Sequence, residues 1–535
     1  MTKKRIEHLL KKTVISLFKT KLPEVKIEYP PKRKYGDYST NLPLELAKEI
    51  KKKPLKIAQN ISSQILKQKP NIFEKIDIKK PGFINFFLKE SYLKKELKST
   101  LEEGKDFGKV NVGKNKKTNV EFISANPTGP LHIGNGRGAF FGDVLANILS
   151  FAGFKVEREY YINDSKQSSQ IKELGKTFLG EGTAYKTPYL ERLIKRIKSI
   201  KQAKQLDESG AGRLLAKEIL KDIKIFVRKK LKIKFDVWFS EEGLFRKSRI
   251  KKVLDFLDRK GLTYEEEGAL WLKTSKIGGI KDEVLVRRTG EPTYFLSDIA
   301  YHKDKIKRGY KKIIDIWGAD HQGHVKRMGA AMKILGYKKD FEALISQIVR
   351  LRSGRKLSKR KGEIIELDDL IKEVGLDVAR YFYLSKSLSS QMEFDLALAK
   401  ERSEKNPVFY IQYAYVRIES ILKKSKVKSQ KSKVNFDLLN HPSELNLIRE
   451  LIKFPEIIED TANDYQLQRL PEYGKNLASS FHRFYRDCRV LRSNSTKEDK
   501  LDEELSKTRL VLVLATRIVL KNLLSLMGIS TPKKM

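Results

Sequence analysis

The feature that most constrains the fold of this chain is the stretch at residues 121–136, which reads Glu-Phe-Ile-Ser-Ala-Asn-Pro-Thr-Gly-Pro-Leu-His-Ile-Gly-Asn-Gly. Residues 120–124 predict a buried strand because they are largely apolar, and the prolines and glycines at 127–130 end it. Apolar side chains then recur on one helical face after Asn135, which predicts that a helix follows the turn. A strand, a tight turn and a helix in this order open a parallel α/β sheet.

The turn between this strand and this helix has the chemistry of a phosphate-binding site. Its glycines would allow backbone amides to approach a ligand closely, and the positive end of the helix favours an anion. These glycines are Gly134, Gly136 and Gly138. Glycines alone fit an ordinary strand-to-helix turn equally well, but this turn also carries His132, with Ser124 and Asn126 nearby. We therefore predict that the turn binds phosphates.

Charge and cysteine content narrow the class of partner. The 535 residues include 111 Lys+Arg against 67 Asp+Glu, a formal net charge of +44. Such a charge attracts polyanions, and nucleic acid is the first candidate, although any single lysine fits a solvated helix face equally well. The single cysteine, Cys488, excludes an internal disulfide and a cysteine-cluster zinc site, which fits a reducing cytoplasm.

No export signal or membrane span is predicted. The apolar positions near the amino terminus are interrupted by lysines and are spaced as in an amphipathic helix. The most apolar late stretch, 510–527, contains Arg517 and Lys521 and therefore predicts a core helix.

The chain is long enough for several domains, and its patterns predict three. Residues 1–110 predict a small α+β domain with helices at 41–52 and 54–67 and strands at 76–79 and 83–88. Residues 118–400 predict a Rossmann-like parallel-sheet domain, in which strands at 285–288, 312–317 and 344–350 alternate with helices and an insertion lies at about 165–280. Residues 401–535 predict an all-α bundle. Its lysine-rich segment 423–433 fits a solvated loop, with contact to RNA phosphates as the alternative.

A second basic loop follows a predicted strand more than two hundred residues after His132. Residues 353–362 read Ser-Gly-Arg-Lys-Leu-Ser-Lys-Arg-Lys-Gly, with five basic residues between two glycines. On its own this segment fits a surface loop. Together with the turn at 132–135, it resembles the paired signatures of class I aminoacyl-tRNA synthetases. Residues 132–135 correspond to the family's His-Ile-Gly-His, and residues 356–360 correspond to its Lys-Met-Ser-Lys-Ser. The pair is much more specific than either half.

The resemblance extends over nearly the whole chain to the arginyl-tRNA synthetases. The matching segments stand in the family's order. They are Tyr35-Gly-Asp-Tyr-Ser-Thr-Asn41, Val120-Glu-Phe-Ile-Ser-Ala-Asn-Pro-Thr-Gly-Pro130, Tyr160-Tyr-Ile-Asn-Asp164, Phe235-Asp-Val-Trp-Phe-Ser240, Thr293-Tyr-Phe-Leu-Ser-Asp298, Trp317-Gly-Ala-Asp-His-Gln322, Gly375-Leu-Asp-Val-Ala-Arg380 and Asn406-Pro-Val-Phe-Tyr-Ile-Gln-Tyr413. The resemblance implies a tRNA-contacting amino-terminal domain, a Rossmann-like catalytic domain and a helical anticodon-binding domain.

The activity that the resemblance implies is that of an arginine–tRNA ligase. Such an enzyme forms arginyl-adenylate from ATP and arginine and then charges the 3′-terminal adenosine of tRNA(Arg). The resemblance implies that His132, Lys356 and Lys359 are catalytic and stabilise the phosphates as pyrophosphate leaves. Further ATP contacts are implied at Gly134, Asn135, Gly318, Asp320 and Ser358. Mg²⁺ is expected to accompany ATP, and no protein-bound metal is predicted, even from His321 and His324.

The substrate arginine carries a planar guanidinium, for which carboxylates are the natural partners. The resemblance implies that Glu121 and Asp298 supply them. It implies further arginine contacts at Ser124, Asn126, Tyr294 and Gln322. In the helical bundle, Tyr410 and Tyr413 are candidates for stacking on unpaired tRNA bases, with packing in the core as the alternative.

Two departures from the family pattern bear on activity. Asn135 stands where the family has a second signature histidine, and Leu357 and Arg360 alter the second loop. Asparagine still donates a hydrogen bond, so activity is expected. Two other interpretations stay open: a catalytically silent RNA-binding relative, which Asn135 favours, and a class I synthetase for another amino acid, which the pocket acids disfavour. A cytoplasmic monomer is expected.

Overall fold

The amino-terminal part of the chain is an α+β domain. The computed structural model describes residues 1–20, 23–68, 70–182, 184–198, 206–275, 281–352, 365–425, 434–491 and 503–535. The elements of this domain are α1 (Thr2–Phe18), β1 (Tyr38–Thr40), α2 (Leu42–Ile50), α3 (Pro54–Lys67), β2 (Phe73–Lys79), β3 (Phe83–Leu88) and α4 (Glu90–Glu103). The strands form an antiparallel sheet in the order β1-β3-β2. The helices and strands predicted for this domain are confirmed. In α3, for example, Ile57, Ile61 and Ile65 form one continuous buried face, as the apolar spacing predicts.

The central part of the chain alternates strands and helices. Its elements are β4 (Lys117–Glu121), α5 (Ile133–Phe151), β5 (Lys155–Ile162), α6 (Ser169–Leu179), α7 (Pro188–Lys198), α8 (Glu208–Lys229), β6 (Val237–Ser240), α9 (Glu242–Arg246), α10 (Arg249–Arg259), β7 (Thr263–Glu266), β8 (Ala269–Leu272), β9 (Glu283–Val286), α11 (Tyr294–Lys307), β10 (Lys312–Gly318), α12 (His324–Ile334), β11 (Asp340–Ser346), β12 (Val349–Leu351), α13 (Leu367–Val374), α14 (Leu376–Leu384), β13 (Met392–Phe394) and α15 (Leu396–Lys400).

Five of these strands form a parallel sheet in the order β11-β10-β4-β5-β6. The predicted parallel-sheet fold is therefore confirmed. The register places Glu121, the last residue of β4, opposite Asp315 of β10 and Glu159 of β5. In open parallel sheets ligands bind beyond the carboxyl ends of the strands. The turn with His132 and the loop after Gly318 both leave this edge.

Two details of the predicted sheet were wrong. Residues 285–288 were expected to join the parallel sheet, but β9 pairs antiparallel with β8 in a separate sheet, β7-β8-β9. Conversely, β6 falls inside the segment expected as an insertion and yet pairs with β5 in the parallel sheet. Both errors have one cause: a short apolar run indicates a strand but does not indicate which strand it will pair with.

The carboxyl-terminal part is all helical, as predicted. Its helices are α16 (Pro407–Lys424), α17 (Pro442–Ile452), α18 (Phe454–Asp464), α19 (Arg469–Asp487) and α20 (Glu503–Leu526). One hydrophobic core runs from the amino-terminal domain through α5 into this bundle, and a second core lies under α10, α11 and α12. In the described part of the chain, no helix combines the length and the apolar character needed to cross a bilayer.

Glu456 of α18 joins the bundle to the amino-terminal domain. Its Oε1 accepts a hydrogen bond from the Lys3 backbone N–H at 2.6 Å, and its Oε2 accepts from the hydroxyls of Tyr29 at 2.7 Å and Tyr38 at 3.0 Å. Burial raises the pKa of this carboxyl, against the lowering effect of the three donors. A buried carboxylate satisfied by groups from the other domain fixes how the two domains dock.

Candidate active site

The chain leaves the parallel sheet through a strained turn. After β4, Ile123 has φ 67° and Ser124 has φ 40°, a left-handed conformation that is unusual for residues other than glycine and especially for a β-branched one. Each such residue costs on the order of 1–3 kcal/mol, and such strain clusters at functional sites. The turn leaves Asn126 exposed, and its Oδ1 accepts from Asn163 Nδ2 at 3.1 Å.

His132 is the amino-terminal cap of α5. Its Nδ1 accepts a hydrogen bond from the Gly134 N–H at 3.1 Å, while Asn135 Oδ1 accepts from the His132 N–H at 2.9 Å. This reciprocal arrangement is a capping box. Burial lowers the pKa of His132, so the ring is neutral at pH 7 and carries its proton on Nε2. His132 therefore presents a single donor at the positive end of a helix.

Two of the three glycines that the sequence assigns to phosphate binding have a different role in the structure. Gly136 and Gly138 are buried in α5 and face protein. A Cβ on Gly136 would lie 2.8 Å from Leu367 Cδ1, and one on Gly138 would lie 3.8 Å from Ile316 Cγ2. The expectation that these two residues bring backbone amides to a ligand was therefore wrong, because both are buried within the helix, where close packing requires glycine at position 136 but leaves room for a Cβ at position 138. Gly134 stays at the helix amino terminus, with its N–H bonded to His132.

The segment that follows the second signature lies against the first. Ile133 N–H donates to Ile365 O at 3.0 Å, and Leu367 N–H donates to Leu131 O at 2.8 Å. Lys356, Leu357, Ser358, Lys359 and Arg360 lie outside the described residues, so their contacts stay predictions. The described chain nevertheless resumes at Ile365 directly against the His132 turn.

A second group of predicted residues lies at the end of β10. Gly318 is its last residue, and Asp320 and Gln322 follow in an exposed turn. A Cβ on Gly318 would lie 2.4 Å from Asp320 Oδ1, so a larger residue here would displace the Asp320 carboxylate. This edge of the sheet is the one from which the His132 turn also leaves.

Helix α11 presents Tyr294 and Asp298, one turn apart and therefore on one face. Tyr294 is 44% exposed, and its hydroxyl donates to Gln170 Oε1 at 2.7 Å and lies 2.8 Å from Ser169 Oγ. Asp298 is partly exposed, with its Oδ2 2.7 Å from His324 Nε2. His324 is buried, and its Nδ1 accepts from Arg327 Nε at 2.6 Å. The proton of a neutral His324 must then be on Nε2, which lies close to Asp298 without the alignment of a hydrogen bond.

The inner face of α11 carries a buried charge network that contains Glu121. Its Oε2 accepts from Lys305 Nζ at 2.6 Å and from Tyr301 Oη at 2.9 Å, and its Oε1 accepts from Ser124 Oγ at 2.9 Å. Lys305 Nζ also lies 2.7 Å from Asp315 Oδ1. Burial raises the pKa of Glu121, with Lys305 opposing it. The structure therefore surrounds Glu121 with the chain's own donors and connects it to Ser124.

Burial also opposes ionisation of Asp315, but Lys305 and His302 together lower its pKa to about 2. His302 Nε2 lies 2.7 Å from Asp315 Oδ2, and its Nδ1 lies 2.8 Å from the carbonyl oxygen of Asp298. The turn of α11 that carries Asp298 is thereby tied to β10 through a fully buried carboxylate.

Glu241 is a candidate site residue that the sequence did not identify. It directly follows β6, is 3% exposed, and its Oε2 has no hydrogen-bond partner in the described structure. Burial and the nearby charge of Asp298 raise the pKa of Glu241 to about 8. Asp298 and Glu241 thus lie close enough for their charges to interact, and no lysine or arginine of the described residues forms an ion pair with either. The only signal in the sequence was its position after the family segment 235–240.

Comparison with known proteins agrees with this geometry. Three family models match in order: the arginyl tRNA synthetase N terminal domain over residues 3–88, the class I (R) tRNA synthetase catalytic domain over 96–391, and the DALR anticodon binding domain over 411–535. An arginine–tRNA ligase of Desulforamulus reducens is 42% identical over 97% of this chain and 95% of the relative. That of Carboxydothermus hydrogenoformans is 41% identical, over 95% and 94%.

The chain belongs to the arginyl-tRNA synthetase family. The Thermus thermophilus arginyl-tRNA synthetase structure matches with a TM-score of 0.79 over 100% of both chains at 21% identity, which is a likeness of fold. The departure at Asn135 has a structural explanation in this member of the family. Its Oδ1 completes the helix cap at His132, and its amide nitrogen remains a donor.

The arginyl-tRNA synthetase bundle holds the two predicted tRNA-stacking residues in different settings. Tyr410 is partly buried, with its ring centroid 4.7 Å from that of His482. Tyr413 is 40% exposed and accepts a hydrogen bond from Arg417 NH2 at 2.7 Å. The Arg417 guanidinium also lies 4.7 Å from the ring centroid of the exposed Tyr485. The sequence missed Arg417 and Tyr485. Arg417 contacts both Tyr413 and Tyr485, and the three residues form an exposed aromatic and basic surface.

Proposed function

We propose that this protein is an arginine–tRNA ligase. It joins arginine and ATP into arginyl-adenylate and pyrophosphate and then transfers the arginyl group to the 3′-terminal adenosine of tRNA(Arg). The observation that carries the proposal is the pair of carboxyls, Asp298 and Glu241, at the edge of the parallel sheet where the capped His132 turn also lies. This pair needs a cation that the described residues do not supply.

Arginine binds with its guanidinium between Asp298 and Glu241. A planar fork with five donors suits two carboxylates and the Tyr294 hydroxyl, and the side chain of lysine would leave one carboxylate without a partner. Ser124, Asn126 and Gln322 receive the α-amino and carboxylate groups. Glu121 contributes indirectly, because its Oε1 accepts a hydrogen bond from the Ser124 hydroxyl and so positions Ser124.

The carboxylate oxygen of arginine attacks the α-phosphorus of ATP, and the bond to the pyrophosphate oxygen breaks. Negative charge grows on the leaving pyrophosphate, where positioned donors stabilise it. His132 Nε2–H, the Asn135 amide and the amino terminus of α5 at Gly134 face these phosphates, and Lys356, Ser358 and Lys359 close over them. Gly318 and Asp320 hold the ribose. Mg²⁺ enters with ATP, bound mainly by the phosphates.

Binding of tRNA at this site uses all three domains. The amino-terminal domain and the bundle dock through Glu456, and the bundle packs against α5 of the catalytic domain, so a single chain can hold both ends of one tRNA. Unpaired bases stack on Tyr413 beside Arg417, with Tyr410 behind them. The shared core suits a protein that works as a monomer. We place it in the cytoplasm, with tRNA(Arg).

Arginine-dependent exchange between ATP and pyrophosphate tests the proposal. Exchange should require both arginine and tRNA and should not occur with lysine, and the protein should charge unfractionated tRNA only with arginine among the amino acids. A catalytically silent relative would bind tRNA without exchange, and charging with a different amino acid would contradict the proposal directly. Asn135 completes the helix cap, and the exchange assay decides whether it also serves catalysis.

A further inference from the structure

The edge of the parallel sheet opposite the candidate active site carries a row of lysines. Strands β4 and β5 begin at Lys117 and Lys155, β10 follows Lys311, and β11 follows Lys339. These are four of the five neighbouring strands of the sheet. Backbone pairing holds them together: Lys155 N–H donates to Lys116 O at 3.0 Å, and Lys311 N–H donates to Lys117 O at 2.8 Å.

We name Lys116, Lys155, Lys311 and Lys339 the lysine row. All four residues are exposed, and no carboxylate of the described residues lies within 4.0 Å of their ammonium groups. Three of them, Lys116, Lys155 and Lys311, border a groove of about 800 Å³, which Lys114 and Lys117 also line. The acids of this groove are already engaged: Glu157 accepts from the Tyr310 hydroxyl, and Asp236 Oδ2 accepts from Arg158 N–H at 2.8 Å.

The lysine row concentrates positive charge at an energetic cost. The Lys311 ammonium lies beside that of Lys339 and lowers the pKa of Lys339. The preceding loop is constrained as well, since Lys114 and Asn115 have φ 45° and 59° and Asn115 N–H is bonded to Gly153 O at 2.8 Å. Like charges held together by a fixed backbone are stabilised by a bound polyanion.

The position of the row separates it from the charging reaction. Strand β10 spans seven residues between Lys312 and Gly318, which places the row roughly 20 Å from the carboxyl edge. The reacting 3′ end of tRNA must lie at that carboxyl edge.

We propose that the lysine row is a second RNA-binding site, which contacts phosphates of an RNA backbone independently of aminoacylation. Solvated ammonium groups suit phosphate oxygens, and Val156 is the only apolar residue among the described residues that line the groove. A protein partner would need an apolar interface centre, and a membrane would need apolar side chains to insert. Phosphates of RNA are therefore the best match, without sequence preference.

Binding of a fluorescein-labelled oligouridine of about twelve nucleotides, measured by anisotropy across a salt series, tests this site. The variant K116Q/K155Q/K311Q/K339Q should bind at least ~10-fold more weakly at physiological salt, with the slope of log K against log salt reduced by about 2–3. Its arginine-dependent exchange and its KM for tRNA should stay within about twofold of wild type, since charging occurs at the opposite edge.

The matched control is K247Q/K251Q/K252Q/K333Q, which removes the same charge from exposed lysines of α10, α12 and the turn before α10. It should keep oligouridine affinity within about threefold. Equal losses in both variants would show a general charge effect and overturn the proposal. An unchanged slope in the row variant, or a raised KM for tRNA, would also overturn it. Loss of binding to acidic phospholipid vesicles without loss of oligouridine binding would assign the row to membranes instead.

Discussion

Glu241 gives the sharpest test of the arginine pocket. It is buried beside Asp298 with one oxygen unpaired among the described residues, and its pKa is raised to about 8 by burial and by that neighbouring charge. A guanidinium between the two carboxyls favours the ionised form of Glu241. Arginine binding below pH 8 must therefore release a proton from this residue, and affinity must rise with pH until Glu241 is ionised in the free protein.

The magnitude follows from the pKa. At pH 7 a carboxyl with a pKa of about 8 is ionised in roughly one molecule in eleven, so binding is weakened about tenfold, or about 1.4 kcal/mol, relative to the alkaline limit. Between pH 7 and pH 9 the dissociation constant for arginine should fall about tenfold. Glu241→Gln removes this titration and also removes one charge-assisted hydrogen bond, which costs about 1.5–3 kcal/mol, or roughly 10- to 100-fold in affinity at alkaline pH.

Isothermal titration calorimetry in buffers of different ionisation enthalpy measures both quantities. Wild type should release close to one proton at pH 7, and Glu241→Gln should not, while the α-amino group of arginine titrates identically in both and cancels. Misfolding is not expected to confuse the result. The folded pKa of Glu241 lies above its unfolded value, so its contribution to stability is complete below about pH 4.5 and is lost as pH rises towards 8; a neutral glutamine avoids this loss. Equal pH slopes in the two proteins would refute the reasoning.

Substitutions at His324, His132 and Glu456 give three further predictions. His324→Gln should raise KM for arginine about tenfold with little change in kcat or KM for ATP. Because His324 acts through Asp298, the substitution should have no further effect in an Asp298→Asn background. Additive effects in this double-mutant cycle would contradict a role in positioning. His132→Ala should lower the rate of adenylate formation by about 10²-fold or more and leave arginine binding intact, and His132→Asn, which preserves the cap, should recover the thermal stability of α5 but not the rate. Glu456→Ala should lower the unfolding free energy by about 1.5–3 kcal/mol and expose the amino-terminal domain to protease, whereas the nearby and more exposed Glu459→Ala should not.

The sequence predicted the order and type of the elements better than their partners in the sheets. Helices such as α3 have a long periodic apolar face, and this periodicity is enough to identify them from the order of residues alone. The four-residue strands β6 and β9 are too short to specify pairing, so one was wrongly assigned to the insertion and the other wrongly to the parallel sheet. Their pairing is decided by long-range packing, which the local pattern of residues does not indicate.

Within the candidate site, the sequence identified residues that lie in glycine-rich or signature segments and missed those that act through space. His324 and Glu241 stand 26 and 57 positions from Asp298, and only the fold brings both beside its carboxylate. For Gly136 the error was the reverse, because the sequence predicted a ligand contact where the structure shows packing. Gly136 directly follows the signature, but its neighbours Leu367 and Tyr383 come from helices more than two hundred residues later, and the sequence does not show this packing.

The distribution of charge around α11 explains which carboxyls are left for substrate. On its inner face, Glu121, Asp315 and Glu159 face Lys305, Arg308 and His302. His302 lies between the Asp298 carbonyl and the Asp315 carboxylate, and Arg308 also pairs with Glu157 and Asp304. Nearer the amino terminus of this face, Asp298 Oδ2 lies 2.7 Å from His324 Nε2, and Glu241 interacts with the Tyr161 hydroxyl. Each acid of the inner network therefore has a cationic partner within the chain, whereas neither Asp298 nor Glu241 forms an ion pair with a lysine or arginine of the described residues, so a positive charge is what this pair lacks. A guanidinium supplies that charge in a shape that reaches both carboxyls at once.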